Sequence, residues 1–216
     1  MSRPKAEVVR WPEDIEGRYA VVERAVQVLH GGGLLVYPTD TVYGLGADPA
    51  FPQSIRRIFE VKGRPDERAI IWLVASVDGG RSVCFVDERA ERLAEVFWPG
   101  ALTLVLPRRV PPEGELPTLG VRVPAHPASL AILRAMDGPV ATTSANRSDE
   151  PSAKSGTDAE AALGADVDLI IDAGPAPGGT ESTVLDLSVR PAKILRLGAI
   201  DAPEIEEVLG EAVTRN

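Results

Sequence analysis

Apolar residues recur at helical steps from Arg18 to His30 (RYAVVERAVQVLH), and Gly31-Gly32-Gly33 closes the stretch as a C-cap signal. Leu34 to Tyr37 follows as a short unbroken apolar run, the mark of a buried strand. Pro52 to Lys62 (PQSIRRIFEVK) sets Ile55, Ile58, Phe59 and Lys62 on one face at steps of three and four, which predicts a second helix stopped by Gly63 and Pro65. Ile70 to Ala75 predicts a strand. Asp87 is placed to cap a helix that runs to Phe97 and breaks at Pro99-Gly100. Strands are predicted over Leu102 to Leu106 and Leu119 to Val123. A helix over Pro127 to Met136 begins with proline in its first turn.

Val140 to Thr143 reads as a strand and Ser144 to Thr157 as a polar loop, after which Asp158 is expected to cap a short helix. Leu169 to Asp172 is a strand that runs into the glycine-rich AGPAPGG. Ser182 to Leu187 and Lys193 to Leu197 pair as a hairpin across Ser188 to Pro191, and a last helix begins near Ala202. Strands alternate with helices early, and hairpin-like pairs come in the middle and at the end. That pattern predicts an α/β fold on a mixed sheet. With no internal repeat and no low-complexity linker, one domain over residues 1–216 is the economical expectation.

Composition narrows the chemistry. The charge of −9, from 23 basic and 32 acidic side chains, argues against non-specific nucleic-acid binding, though it permits a local basic groove. Cys84 is the one cysteine, so no disulfide forms within the chain, and it reads as a small buried hydrophobe between Val83 and Phe85. Only His30 and His126 are histidines, and neither HExxH nor CxxC occurs, so no resident metal site is expected. His30 reads as a helix-end residue and His126 as a turn residue. The N-terminus has no apolar core of signal-peptide type, and no run approaches the roughly 20 apolar residues of a membrane span, so a cytoplasmic protein is expected. GxxxxGK[ST], GxGxxG and GxSxG are all missing. An enzyme built this way would work by positioning and charge stabilisation rather than through an acid/base histidine.

Five segments set hydroxyls, an amide or a cation directly after an apolar run: Pro38 to Gly44 (PTDTVYG), Lys62 to Pro65 (KGRP), Gly120 to Pro124 (GVRVP), Thr142 to Ser148 (TTSANRS), and Glu181 to Val184 with Ile194 to Gly198. Ligand sites of α/β sheets gather at strand ends. The set offers Lys62, Arg64, Arg122 and Arg196 as cations, and Thr39, Ser144, Asn146 and Ser182 as hydrogen-bonding groups. Such a set suits a ligand rich in phosphate or carboxylate. Each residue also has a plainer reading: Lys62 closes a helix, Arg64 is a solvated loop charge, Ser144 and Asn146 shape a turn, Ser182 starts a strand, and Tyr43 is core. Arg122 interrupts an apolar strand, so it lies on a wet face or is paired.

In order, PTDTVYGLG, KGRP, WPGALTLVLP, GVRVPAHP, TSANRS, ESTVLDL and ILRLG resemble the YrdC/TsaC family of threonylcarbamoyl-AMP synthases, over about residues 15–200. The family's signature, Lys and Arg spaced by one residue with Ser and Asn spaced by one, is present as Lys62, Arg64, Ser144 and Asn146. The resemblance implies an open twisted α/β sheet, mixed parallel and antiparallel, with flanking helices and a concave ligand groove.

It further implies a nucleotidyltransferase that converts L-threonine, bicarbonate and ATP to threonylcarbamoyl-AMP and pyrophosphate, with Mg²⁺ held mainly by the ATP phosphates. The product serves tRNA threonylcarbamoyladenosine modification, so tRNA and a downstream transferase complex are indirect partners. By the same resemblance Lys62 and Arg64 are catalytic. Thr39, Tyr43, Arg122, Ser144 and Ser182 hold threonine, with Arg122 on its carboxylate. Lys62, Arg64, Thr118, Asn146 and Arg196 face the nucleotide, and Gly44 and Gly46 keep the backbone close to a ligand. Two departures stand out. Ala69-Ile70 replaces the usual Pro-Leu, and Ser152-Ala153-Lys154 replaces Ser-Pro-Thr, where Lys154 is expected to supply a cation for the lost hydroxyl. The rival readings are an RNA-binding module of the same fold and a carbamoyl-transfer relative.

Overall fold

Eleven strands join in one sheet in the computed structural model, which describes residues 5–63, 70–111 and 116–215. In chain order the elements are β1 (Glu7–Arg10), α1 (Ile15–His30), β2 (Leu35–Tyr37), β3 (Gly44–Ala47), α2 (Pro52–Lys62), β4 (Ile71–Leu73), α3 (Val77–Val83), α4 (Glu88–Phe97) and β5 (Leu102–Pro107). There follow β6 (Thr118–Arg122), α5 (Pro127–Met136), β7 (Val140–Ser144), α6 (Gly156–Leu163), β8 (Leu169–Asp172), β9 (Thr183–Asp186), β10 (Lys193–Arg196), α7 (Ala202–Leu209) and β11 (Thr214–Arg215). The strand order is β1-β8-β2-β3-β7-β4-β6-β5-β9-β10-β11. The sheet is mixed: β2 pairs parallel with β8 and antiparallel with β3, and β4 pairs parallel with β6 and antiparallel with β7.

Helices cover both faces, so β2 is apolar throughout rather than alternating. Along β2 and the residue before it, Leu34 and Val36 pack in the cluster that holds Ile58 of α2 and Leu163 of α6, while Leu35 and Tyr37 pack with Leu29 of α1 and Leu133 of α5. A period of two thus feeds two cores from one strand. A third core, under α4 and α7, gathers Leu93, Leu104, Leu185 and Ile205. Cys84 is wholly buried there, and burial pushes its thiol up to about 11.

Helix signals read from sequence hold where one cap decides them. Asp87 accepts the Ala90 amide at 3.0 Å to open α4, and Gly63 closes α2 at φ 66°. Asp158 is a correction. Ser155 caps α6 by accepting the Asp158 amide at 3.1 Å, and the Asp158 carboxylate instead accepts the amide of Lys154 at 3.1 Å. Four elements lie outside the sequence expectation: β1, β3, α3 and β11. Among the described residues no helix is long and apolar enough to cross a membrane.

Candidate functional site

Strand pairing brings the sequence segments together. Residues 38–43 link β2 to β3, and Gly44 of β3 faces Ser144, the last residue of β7. β4 then bridges β7 to β6, with Ile71 opposite Thr142 and Trp72 opposite Val121. By that register the start of β6, at Thr118, lies toward the Ser144 end of β7, and Arg122 lies toward the Val140 end. Thr118 and Arg122 are four residues apart, about 13 Å along the strand, so the two are not side by side.

At the first end, Lys62 closes α2 with its side chain turned inward, only 2% exposed. Its ammonium donates to the Ser144 carbonyl at 2.7 Å, the Asn146 carbonyl at 2.9 Å and Asn146 Oδ1 at 3.1 Å. Ser144 Oγ donates to the same Oδ1 at 2.6 Å. The amide nitrogen of Asn146 donates to the carbonyls of Arg147 and Glu150 at 2.9 and 2.6 Å. Lys62, Ser144 and Asn146 therefore form one closed polar knot. Arg64, the remaining member of the sequence signature, lies outside the described residues, as does Ala69.

The guanidinium of Arg122 reaches the 38–43 loop, where it is buried and held on three sides. Nε donates to the Gly100 carbonyl at 2.8 Å, Nη1 to Thr41 Oγ1 at 2.9 Å and Nη2 to Asp40 Oδ1 at 2.5 Å. Burial lowers its pKa, Asp40 opposes that, and the Arg196 cation adds to the lowering. The two plainer readings of Arg122 are thereby decided: it is paired, with Asp40. Thr39 and Ser182 are both buried. The Thr39 hydroxyl donates to the Val42 carbonyl at 2.6 Å and accepts the Thr41 amide at 3.2 Å, which shapes the loop. Ser182 Oγ lies 2.9 Å from Thr103 Oγ1 and accepts from Arg196 Nη2 at 3.2 Å. Arg196 also donates to Glu181 at 2.5 Å, and Glu181 accepts from Ser152 Oγ at 2.7 Å.

Four further residues of the sequence reading are placed as follows. Tyr43 is fully buried, and its hydroxyl donates to the Gly174 carbonyl at 2.7 Å while accepting the Ala173 amide at 3.0 Å, which fastens the loop after β8. Burial pushes its phenol up to about 12. Gly44 and Gly46 do not clear the way for a ligand. A Cβ on Gly46 would stand 2.8 Å from the Tyr37 ring and from Val140, and one on Gly44 would stand 2.9 Å from Thr142. These glycines make room for neighbouring side chains. Lys154 is exposed and runs beside Gly179, while its carbonyl accepts the Ala176 amide at 2.7 Å. Next to it, Gly178 donates to the Asp40 carbonyl at 2.9 Å, and a Cβ there would come within 2.6 Å of that oxygen.

Sequence reasoning left out Asp40, Thr41, Thr103 and Glu181. Thr103 carries a signal, a hydroxyl inside the apolar run LTLVL, and so does Asp40, a carboxylate at a strand end that reads as orienting its loop; Glu181 carries none beyond its neighbours.

The profile of the Sua5/YciO/YrdC family, described as "Telomere recombination", matches residues 27–198. This chain belongs to that family. Its relatives include the threonylcarbamoyl-AMP synthase of Pyrococcus abyssi, 41% identical over 87% of this chain and 56% of the relative, and that of Bacillus subtilis, 34% identical over 93% and 61%. The crystal structure of P. abyssi Sua5 complexed with L-threonine superposes with a TM-score of 0.89 at 37% identity, covering 99% of this chain and 63% of that one. The chain thus spans less than two thirds of the length of these relatives.

Proposed function

We propose that the protein makes threonylcarbamoyl-AMP and pyrophosphate from L-threonine, bicarbonate and ATP, as a nucleotidyltransferase whose product feeds tRNA threonylcarbamoyladenosine modification. The observation that carries this reading is the guanidinium of Arg122. It has five N–H groups and spends three on protein acceptors, so one N–H on each terminal nitrogen is left for a carboxylate. The names of the P. abyssi and B. subtilis relatives and the threonine complex of P. abyssi Sua5 support it independently.

In this reading the threonine ammonium gives up a proton, the free amine adds carbon dioxide with loss of a second proton, or bicarbonate with loss of water, and the resulting carbamate oxygen attacks the α-phosphorus of ATP as pyrophosphate leaves. Negative charge grows on phosphoryl oxygens, which calls for cations and donors fixed beforehand. Lys62 fixes the Ser144–Asn146 turn on the nucleotide side, with Arg64 and Arg196 as further cations. Arg122 and Ser182 serve the amino-acid side. Mg²⁺ belongs with the ATP phosphates.

The test is pyrophosphate release from ATP, Mg²⁺ and bicarbonate with amino acids added singly. Release with threonine is expected, with valine refused more firmly than serine, because a pocket that bonds a hydroxyl rejects its absence more strongly than a missing methyl. No threonine-dependent release would sink the reading.

A further inference from the structure

Asp40 has more oxygen than its hydrogen bonds use. Oδ1 accepts twice, from Arg122 Nη2 at 2.5 Å and from the Ala125 amide at 2.9 Å, and among the described residues no donor reaches Oδ2. Its side chain is 16% exposed, against 4% for Arg122, so Asp40 is the more open half of the pair. The contrast with Glu181 is direct. That carboxylate also pairs with a site arginine, but both of its oxygens already accept a donor, Oε1 from Ser152 at 2.7 Å and Oε2 from Arg196 at 2.5 Å. Of these two arginine-bound acids, Asp40 is the one with an oxygen that takes no donor from the described residues.

Arg122 is the matching half, with one N–H left on each terminal nitrogen. Two spare donors and one spare anionic oxygen on a single ion pair are the complement of a carboxylate and an ammonium on one carbon. We propose that Arg122 and Asp40 together receive the head group of the α-amino acid, with Arg122 on its carboxylate and Asp40 Oδ2 on its ammonium. This rests on the threonine-using reading and adds to it a reason for α-amino acids over plain carboxylic acids. A guanidinium alone accepts any carboxylate, whereas a neighbouring anion disfavours one that brings no positive charge. The loop is built to hold Asp40 still: Thr39 pins it from within, and Gly178 donates to the Asp40 carbonyl.

The test compares two ligands on two proteins by titration calorimetry: L-threonine, and 3-hydroxybutyrate, which keeps the carboxylate, hydroxyl and methyl but lacks the amine. Asp40→Asn keeps an oxygen for Arg122 and the Ala125 amide while removing the charge. The expected result is a loss of about tenfold in affinity for threonine, the size of one charged hydrogen bond, with 3-hydroxybutyrate unchanged or tighter. An equal loss for both ligands would mean that Asp40 acts only by placing Arg122, and no loss for threonine would remove it from the site; either overturns the proposal. Absence of threonine binding to the wild-type protein would instead overturn the parent reading, and this one with it. Thermal unfolding checks that the variant is folded. Should it not be, the two ligands on the wild-type protein decide: 3-hydroxybutyrate should bind about tenfold or more weaker than threonine, and equal affinity would overturn the proposal.

Discussion

Lys62 Nζ lies 2.7 Å from the carbonyl oxygen of Ser144, a residue 82 positions further along the chain. The last turn of α2 and the end of β7 are thus tied by one buried ammonium, which also holds two oxygens of Asn146. Lys62→Met keeps the length and removes the donors. It should lower the unfolding free energy by about 1–3 kcal/mol, because buried carbonyls lose their partner, and reduce threonine-dependent pyrophosphate release with it. Urea unfolding and the release assay read the two effects separately. A variant as stable as wild type would show that the knot contributes nothing to the fold.

Arg122→Lys keeps a cation but not the fork. A lysine has three donors on one nitrogen and cannot serve Gly100, Thr41 and Asp40 and still offer two N–H groups to a carboxylate. The KM for threonine should rise roughly 10- to 100-fold, the loss of one charged hydrogen bond, while the KM for ATP stays within about twofold. Equal damage to both constants would place Arg122 on the nucleotide side instead.

Gly46→Ala tests why β3 is glycine-rich. The added methyl would meet Tyr37 and Val140 at 2.8 Å in a buried sheet. Overpacking of this kind costs about 1–3 kcal/mol, and Tyr37→Leu in the same chain should recover part of it. Chemical unfolding of the two single variants and the double variant measures the coupling. A neutral Gly46→Ala would return the glycine to the ligand-access role read from sequence.

His126 gives the fold a pH dependence. Its Nδ1 accepts the Ala128 amide at 3.1 Å at the start of α5, which requires the neutral ring, and burial lowers its pKa below the ordinary 6.5. Since the unfolded chain takes up the proton first, this stabilisation is complete above pH 6.5 and declines as the pH falls through 6.5 toward the lower folded value. His126→Asn, which retains a capping oxygen, should remove this part of the pH dependence in thermal melts from pH 7.5 to 5. An unchanged profile would assign the slope to other groups.

Much of this architecture was legible because single local signals decided it. Proline at the start and glycine at the end fixed α2, and Asp87 fixed α4. Where two signals competed, the nearer hydroxyl won, and Ser155 rather than Asp158 opens α6. The strand β3 was hidden because Gly44-Leu45-Gly46 reads as a loop unless Tyr37 and Thr142 are known to pack against it. At the site, residue types were readable and partners were not. Arg122 announced itself by breaking an apolar strand, but nothing local to Asp40 says that it will meet an arginine 82 residues later. Tyr43 is a second case: it stands among the polar loop residues, and nothing local says that its hydroxyl will meet Ala173 and Gly174.

The pairing of Gly44 with Ser144 and of Ala47 with Ala141 acts as a ruler. Deleting one residue from β3 or β7 would shift that strand past its partner by one residue, about 3.3 Å, and turn every following side chain to the opposite face. Changes of length are therefore cheap in surface loops and ruinous in these two short strands, so the chain's tolerance of insertions and deletions is set by its hydrogen-bond register rather than by distance from the ligand.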